Sequence, residues 1–262
     1  MTTYERRQSL LDILRKQPGL RVSEIAKALG VSEGTIRNDL NALEEEGRLK
    51  RVHGGAVLTE ENQFQNNSFI RRFNQNVAAK IAIAREAAPL VNDHDSIFLD
   101  ASSTCYYLAR ALSVRAKLRV ITNGFEVARE LAQNTSNSVI LVGGVVNNDS
   151  SSVTGLLSEQ IIAEMRVEKA LYSCSGFSIE RGMTEVHLEE AQLKRKAIES
   201  SKEIIGLIDS SKFGKEDLTA FASSKNITCL FTDDGISLTW IEQLKNANIE
   251  YKICKKKEAF EK

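Results

Sequence analysis

Three short polar stretches in the sequence could bind a small polar ligand. In the first, Asp100 ends the apolar segment SIFLD and is followed by Ser102, Ser103 and Thr104. Hydroxyl groups and unpaired amides at the start of a helix form a cradle for phosphate. The Asp100 carboxylate would repel a phosphate directly, but it could hold sugar hydroxyls beside it.

The second and third stretches have a similar arrangement. In TNGFEVA, Asn123 and Gly124 open a predicted helix, and in LIDSSKFGKE, Asp209 ends a strand three residues before Lys212. Lys212 could supply a cation for phosphate or sugar oxygens. Open α/β sheets bind ligands at the carboxyl ends of their strands. One such cluster is more often an ordinary helix cap, but three strand ends together favour a ligand site.

Three further features have two interpretations each. The glycines of LVGG, which end at Gly144, permit either a close backbone approach or a turn. Glu190 and Lys194 are four residues apart on a predicted helix, where a stabilising ion pair is the simpler interpretation. Cys105 adjoins the first polar stretch, and a packed thiol is a simpler interpretation than a redox switch because no second cysteine is near in sequence.

Alternating strands and helices must position these stretches. The predicted strands are 96–100, 119–123, 138–144, 169–176, 203–209 and 227–233. The predicted helices are 77–91, 103–112, 124–134, 156–166, 186–201 and 237–247. This alternation predicts an α/β fold with a mostly parallel sheet covered by helices, over residues 77–255. Residues 59–76, rich in Asn, Gln and charge, are predicted to be a linker that is partly helical near Phe69–Phe73.

Residues 3–58 have a different pattern. An amphipathic helix ends at QPG, and two short helices follow, with Ser23 and Ser32 as predicted caps and Gly30 between them. This spacing is typical of a helix-turn-helix. After the third helix, RLKRVHGGAVL alternates around a Gly-Gly pair, which predicts a β-hairpin wing.

The third helix could read DNA. Ile36, Leu40 and Leu43 recur at helical spacing and must face the core, so the polar residues between them point elsewhere. Arg can pair with guanine and Asn with adenine, and hydroxyls suit phosphate contacts. The predicted DNA contacts are Ser23, Ser32, Thr35, Arg37, Asn38, Asn41, Lys50, Arg51 and His53.

The low net charge of the N-terminal region indicates that more than one copy of the chain is needed to bind DNA. The acids at 44–46 lie at the end remote from the base-reading residues, and can face solvent or pair with Arg48, Lys50 and Arg51. Residues 1–58 carry ten basic and eight acidic side chains, a net charge of only +2. One copy should bind DNA weakly, so we expect a homo-oligomer, a dimer or a tetramer, that reads paired half-sites.

Composition limits the other function classes. The 262 residues exceed the usual size of one domain, and 35 basic residues balance 35 acidic ones. Four dispersed cysteines and three histidines fit no zinc-finger spacing, so we expect no metal or other cofactor. No apolar run approaches the ~20 residues that span a bilayer, and no signal-peptide core is present. We therefore expect a cytoplasmic protein without a membrane partner.

The N-terminal sequence carries a family resemblance. LLDILRKQPGLRVSEIAKALGVSEGTIRNDLNALEEEGRLKRVHGGA resembles the DNA-binding domain of DeoR/GlpR-type bacterial repressors. The shared elements are Val-Ser before the second helix, Val-Ser-x-x-Thr-Ile-Arg-x-Asp-Leu in the third, and the wing Arg-x-His-Gly-Gly-Ala. The family usually has Arg-Arg where this chain has Arg37-Asn38. Loss of that cation is expected either to weaken phosphate binding or to alter base preference, so a family-typical operator is not assumed.

The larger domain continues the resemblance. Its motifs Asp-x-x-[Ser/Thr]-Thr at 100–104, Thr-Asn at 122–123, Gly-Gly at 143–144, Thr-Gly at 154–155, Gly-x-Thr-Glu at 182–185 and Asp-x-Ser-Lys-Phe-Gly at 209–214 are similar to the DeoR-type effector domain. That resemblance implies a Rossmann-like fold related to ribose 5-phosphate isomerase. It also implies that this domain senses a phosphorylated sugar. The effector contacts expected from the strand ends and the resemblance are Asp100, Ser102, Ser103, Thr104, Asn123, Gly124, Gly144 and Lys212.

The resemblance favours a transcriptional regulator, most simply the repressor of a carbohydrate operon that a phosphorylated sugar releases or modulates. An alternative is a sugar-phosphate isomerase with an appended DNA-binding domain, using Asp100, Glu190, Asp209 and Lys212 as acid or base groups. A second alternative is a winged domain that contacts protein rather than DNA.

Arg37→Ala separates DNA reading from protein contact. If Arg37 reads a base, the substitution should lower DNA affinity by ~1–3 kcal/mol, because a base edge loses its partner. Fluorescence anisotropy with a labelled duplex measures this loss. Unchanged DNA affinity would favour the protein-contact alternative.

Overall fold

The structure, a computed structural model, describes residues 3–17, 19–45, 49–52, 55–58 and 68–256. The chain divides into two compact units, Met1–Arg71 and Arg72–Lys262. The division falls within a short helix, α4 (Ser68–Asn74), which lies in the predicted linker. Some residues named in the sequence predictions lie outside the described residues: Glu46, Arg48, His53 and linker residues 59–67.

The first unit contains three helices and a hairpin. The helices are α1 (Thr3–Lys16), α2 (Val22–Leu29) and α3 (Glu33–Glu45), and the antiparallel strands are β1 (Leu49–Val52) and β2 (Gly55–Leu58). Their apolar sides form one core in which Leu10, Ile36, Leu40 and Leu43 are fully buried. This architecture confirms the predicted winged helix-turn-helix.

The predicted helix caps differ in outcome. Ser32 caps α3 as expected, since its Oγ accepts a hydrogen bond from the Thr35 N–H at 3.1 Å. The prediction that Ser23 caps α2 is wrong, because the helix begins one residue earlier with the buried Val22. Arg21 is the capping position, and its N–H donates to Glu24 Oε2 at 3.0 Å. Ser23 is therefore an exposed residue of the first helical turn.

Two interactions in the first unit have no local signal in the sequence. The buried Asp39 carboxylate on α3 accepts hydrogen bonds from Arg6 Nε at 2.6 Å and Arg7 Nε at 3.1 Å, which joins α3 to α1. Gly55 lies so close to the preceding chain that a Cβ there would stand 2.6 Å from the Leu20 carbonyl oxygen. The second glycine of the wing is therefore required by packing.

The second unit is an α/β domain. After α4 its helices are α5 (Val77–Ala87), α6 (Ser103–Ala111), α7 (Phe125–Leu131), α8 (Leu156–Ala163), α9 (Leu188–Glu199) and α10 (Leu238–Asn246). Its main strands are β3 (Ser96–Leu99), β4 (Arg119–Thr122), β5 (Ser138–Leu141), β8 (Val167–Tyr172), β11 (Ser201–Leu207), β13 (Cys229–Asp233) and β14 (Tyr251–Cys254). These seven form one parallel sheet in the order β14-β13-β11-β8-β3-β4-β5.

Smaller strands supplement this sheet. A hairpin joins β6 (Val145–Asn147) to β7 (Ser152–Thr154), and β9 (Gly176–Ser178), β10 (Gly182–Glu185) and β12 (Thr219–Ala222) form an antiparallel sheet. All six predicted strands and six predicted helices are present, with ends shifted by a few residues. The sequence pattern missed β14, a four-residue edge strand, and the small antiparallel strands, which are too short to show a period.

Both faces of the parallel sheet are covered. Phe98 of β3 belongs to one apolar cluster, whereas Ile97 and Leu99 belong to the cluster on the opposite face. Burial on both sides explains why these strands appear in the sequence as continuous apolar runs. Among the helices of the described residues, none is long and apolar enough to cross a bilayer.

Candidate functional site

The parallel sheet brings the first two polar stretches together. Adjacent strands β3 and β4 end side by side, and the Ala101 N–H after β3 donates to Asn123 Oδ1 after β4 at 3.1 Å. A Cβ on Gly124 would stand 2.7 Å from the Ala101 Cα. Glycine at position 124 therefore allows the two strand-end loops to touch.

The loop after β3 begins helix α6. Ser102 Oγ accepts from the Cys105 N–H at 3.1 Å and caps the helix, while Asp100 Oδ1 accepts from the Ser102 N–H at 3.0 Å. The N–H groups of the first helical turn have no acceptor within the helix. Ser103 and Thr104, in that first turn, line a pocket.

A buried lysine lies beneath this loop. Lys194 Nζ on α9 contacts Asp100 Oδ2 at 2.9 Å and Glu185 Oε2 at 2.6 Å, and donates to the Ser173 carbonyl at 3.0 Å. We call Asp100, Glu185 and Lys194 the acid–lysine cluster. Asp100 Oδ2 also accepts from the Ser173 N–H at 3.1 Å, so the cluster joins the ends of β3, β8 and β10 to α9.

The electrostatics keep Asp100 and Lys194 ionised. Burial acts to raise the pKa of Asp100, but the Lys194 charge and nearby donors outweigh it and lower that pKa below its usual value. Burial acts to lower the pKa of Lys194, but Asp100, Glu185 and Glu190 raise it above its usual value. Asp100 and Lys194 are therefore charged together at neutral pH.

The pocket above the cluster is polar. Its cavity volume is about 100 Å³, and the cavity opens to solvent. The residues that line it are Arg72, Gln75, Asn76, Lys80, Ala101, Ser102, Ser103, Thr104, Asn123, Ser173, Cys174, Glu185, Glu190, Lys194, Asp209, Ser211, Lys212 and Lys215. Five cationic side chains and three carboxylates thus face one cavity, together with hydroxyl and amide groups.

Lys80 is a buried cation of this pocket. Its Nζ donates to the carbonyl oxygens of Arg72 and Gln75. Burial lowers the pKa of Lys80 to about 8, with Asp209 opposing that shift and Lys212 adding to it. An anion in the pocket would therefore meet an ammonium group whose charge is sensitive to mildly alkaline pH.

The third polar stretch forms the opposite wall. Asp209 Oδ1 accepts from the Ser211 N–H at 3.1 Å and from Asn76 Nδ2 at 2.9 Å. Lys212 is half-buried, and its ammonium makes no hydrogen bond or ion pair with any described residue. Lys212 can therefore bind an anion without breaking an existing contact.

The predicted effector residues occupy three kinds of position. Ser102, Ser103, Thr104, Asn123 and Lys212 line the pocket. Asp100 lies below it and acts through Lys194. Gly124 supports the loop contact, and Gly144 lies in the turn between β5 and β6; neither lines the cavity.

Residues distant in sequence complete the site. The expected ion pair between Glu190 and Lys194 is wrong, because Lys194 turns towards Asp100 and Glu185, while Glu190 Oε1 accepts from Ser152 Oγ at 2.9 Å. Helical spacing identified only a local partner. The Gly-x-Thr-Glu motif at 182–185 ends at Glu185, so this motif did indicate one member of the acid–lysine cluster. Nothing in the sequence pattern indicated that Lys80 belongs to the pocket.

Cys105 is a packed thiol, the simpler of its two interpretations. The thiol is fully buried and donates to the Leu171 carbonyl at 3.3 Å. Burial, followed by the Asp100 charge, raises the pKa of this thiol well above its usual value. The side chain is therefore a packed, unreactive thiol. In the described part of the chain, no three His, Cys, Asp or Glu side chains are grouped as a metal site requires.

The predicted DNA contacts lie on the surface of the first unit. Ser23, Ser32, Arg37, Asn38, Asn41, Lys50 and Arg51 are exposed, and Thr35 is half-buried. Several are held by neighbours within the unit: Arg37 pairs with Glu33 at 2.8 Å, and Arg51 donates to Asn41 Oδ1 at 2.8 Å. Glu44 accepts from the Arg51 backbone N–H at 2.8 Å, so this acid stabilises the wing.

Family comparison identifies both units. The DeoR-like helix-turn-helix domain matches residues 6–62, and the DeoR C terminal sensor domain matches residues 75–234. The chain belongs to the DeoR family of transcriptional regulators. Because both matched domains describe a DNA-binding regulator, they do not support the isomerase alternative.

Similar proteins cover nearly the whole DeoR-family chain. The HTH-type transcriptional regulator GolR of Listeria innocua is 38% identical over 97% of this chain and 100% of its own length. The lactose phosphotransferase system repressor of Streptococcus mutans is 34% identical over 89% of this chain and 93% of its own. Among solved structures, ribose 5-phosphate isomerase A of Neisseria gonorrhoeae aligns with 15% identity and a TM-score of 0.37, over 51% of this chain and 52% of that chain.

Lys194→Met should destabilise the second unit. The substitution leaves two buried carboxylates without their cation, and breaking such a pair typically costs about 3–5 kcal/mol. Urea unfolding followed by fluorescence of Trp240, the only tryptophan, reports on this unit. Lys196→Met is a matched control, because Lys196 is a half-buried lysine of the same helix whose only ion-pair partner in this structure's described residues is Glu199, at the surface. A loss no larger than that of the control would contradict the role of the cluster.

Proposed function

We propose that this DeoR-family protein represses a carbohydrate-metabolism operon and is released from its operator by a phosphorylated sugar. The observation that carries the proposal is the pocket. It combines a helix start and free ammonium groups, which suit a phosphate, with carboxylates that suit sugar hydroxyls. A purely anionic ligand would have no use for those carboxylates, and an uncharged sugar would leave the cations unpaired.

The two ends of such a ligand have distinct partners. The phosphate is assigned to the first turn of α6, at Ser103 and Thr104, with Lys212 as the counter-ion. The hydroxyls are assigned to Glu185, Glu190 and Asp209, whose carboxylates are strong acceptors. Binding requires neither a metal nor another cofactor.

On the DNA side, α3 and the wing are the proposed reading surface. Arg37, Asn38 and Asn41 are exposed along α3, and Lys50 and Arg51 are exposed on β1. His53 is a further proposed contact from sequence. Because the net charge of residues 1–58 is only +2, operator binding is proposed to need a dimer or tetramer with paired reading heads. The proposed place of action is the cytoplasm, where operator DNA is found.

The printed name of the Streptococcus mutans relative, a lactose phosphotransferase system repressor, supports both repression and a carbohydrate signal. Switching requires that the ligand bind one arrangement of the protein more tightly than the other. Lys80 could make the ligand prefer one arrangement. A bound phosphate would compete with the Arg72 and Gln75 carbonyls for the Lys80 ammonium and so change the contacts of that segment.

Operator release by a sugar phosphate tests the proposal directly. Duplexes selected from genomic fragments are labelled, and anisotropy is followed while ribose 5-phosphate, other pentose and hexose phosphates, the parent sugars and inorganic phosphate are titrated. At least one sugar phosphate should weaken DNA binding about tenfold, within the usual range of coupling between sites. Its parent sugar should not.

Lys212→Met should abolish this response without changing DNA affinity, because Lys212 faces the pocket. Lys225→Met is the matched control, an exposed lysine outside the pocket. If no sugar phosphate changes DNA affinity at any salt concentration, the proposed switch is wrong.

Effector affinity should depend on pH through Lys80. The pKa of Lys80 is about 8, so raising the pH from 7.5 to 9.5 removes its charge while the phosphate stays fully ionised. Affinity should therefore fall by about tenfold, the value of one charge-assisted hydrogen bond. Calorimetry with the effective sugar phosphate measures the profile. Lys80→Arg should flatten it, because guanidinium keeps its proton; an equally steep profile in that variant would exclude Lys80 as the cause.

A further inference from the structure

A cluster of exposed apolar side chains lies at one end of the parallel sheet. We call it the edge patch, and its members are Ile140, Leu141, Val145, Val146, Leu156 and Leu157. Val145 is 69% exposed and Leu156 is 72% exposed. Single exposed apolar residues are normal, whereas a group that is continuous in space marks an interaction surface.

Local contacts join the β6 and α8 parts of the edge patch to the turn after β5. Ser158 Oγ on α8 donates to the Gly143 carbonyl at 2.6 Å, which holds the first turn of α8 against the turn after β5. A Cβ on Gly155 would touch Val145 at 3.6 Å, and one on Gly143 would touch Leu157 at 3.8 Å. The turn after β5, Val145 of β6 and the first turn of α8 therefore lie against one another, beside the end of β5.

The edge patch includes an unpaired strand edge. Strand β5 is the last in the sheet order. Its Ser138 N–H donates to Leu118 O at 2.8 Å, and the Val142 N–H donates to Thr122 O at 3.0 Å, both on the β4 side. Because backbone groups alternate in direction along a strand, those of Val139 and Leu141 point to the other side. No described strand pairs with β5 there.

The sequence lacks the usual protection of such an edge. Edge strands are normally guarded by charged residues or proline, which prevent pairing with another chain. Residues 138–147, SVILVGGVVN, contain neither. A surface without charge selects a partner that also lacks charge and offers an extended edge. The same patch on a second copy has both properties.

We propose that the edge patch is an interface between two copies of this chain, related by a two-fold axis, with β5 pairing antiparallel to β5 of the partner. In such an isologous contact the same surface serves both subunits. The six apolar side chains form its centre, and a standard interface of this kind buries roughly 800 Å² per partner. This interface would supply the homo-oligomer named in the proposed function, and in that respect alone it rests on the proposed function.

Sedimentation velocity of the full chain, without DNA or sugar phosphate, tests the interface separately from repression and sensing. The wild type should sediment as a dimer or tetramer. The double variant Ile140→Asp with Val145→Asp should weaken association at least a hundredfold, which gives monomers from a dimer or dimers from a tetramer. The matched control is Val114→Asp with Leu238→Asp, at sites that are 83% and 78% exposed and outside the edge patch.

A charge-swap experiment tests whether the partner is an identical patch. Ile140→Asp and Ile140→Lys variants should each lose association alone, and should reassociate when mixed, because opposite charges then meet across the axis. Circular dichroism confirms that each variant is folded. A monomeric wild type, a double variant that associates as well as the control, or folded single variants that fail to reassociate on mixing would overturn the proposal.

Discussion

The acid–lysine cluster is the interaction on which the proposed effector pocket depends. Asp100 and Glu185 come from strand ends in two different sheets, and only the Lys194 ammonium allows both carboxylates to be buried side by side. Asp100 also accepts hydrogen bonds from the backbone of Ser102 and Ser173. The cluster thereby fixes the start of α6 and leaves the first-turn amides directed to a ligand.

This arrangement separates the charges that build the site from those that meet the ligand. Lys194 is paired with two carboxylates. Lys212 has no ion-pair partner among the described residues, and Lys80 donates to carbonyl oxygens rather than to a carboxylate. A phosphate consequently gains more from the latter two lysines. The same separation applies to the acids, because Asp100 is enclosed while Glu190 and Asp209 reach the cavity wall.

Much of the fold was predictable from sequence because it depends on local patterns. Strands buried on both faces gave apolar runs, and glycine with a capping serine marked the helix-turn-helix. The strand-end rule also pointed to Ser102, Asn123 and Lys212, which line one cavity, although their part in binding an effector stays a prediction. Long-range partners were not predictable: spacing assigned Lys194 to Glu190, but the fold brings Asp100 from 94 positions away. The burial of Asp39 between two arginines, and of Lys80 against carbonyls, likewise depends on tertiary packing.

A crystal structure of the full chain with its most effective sugar phosphate is the most direct measurement of the central claim. The phosphorus should lie next to the first-turn amides of α6, within ~4 Å of Lys212 Nζ, as in charge-assisted phosphate contacts. The sugar hydroxyls should face Glu185, Glu190 and Asp209, with Lys194 still paired to Asp100. A ligand bound outside this pocket, or one with its phosphate against the carboxylates, would contradict the account.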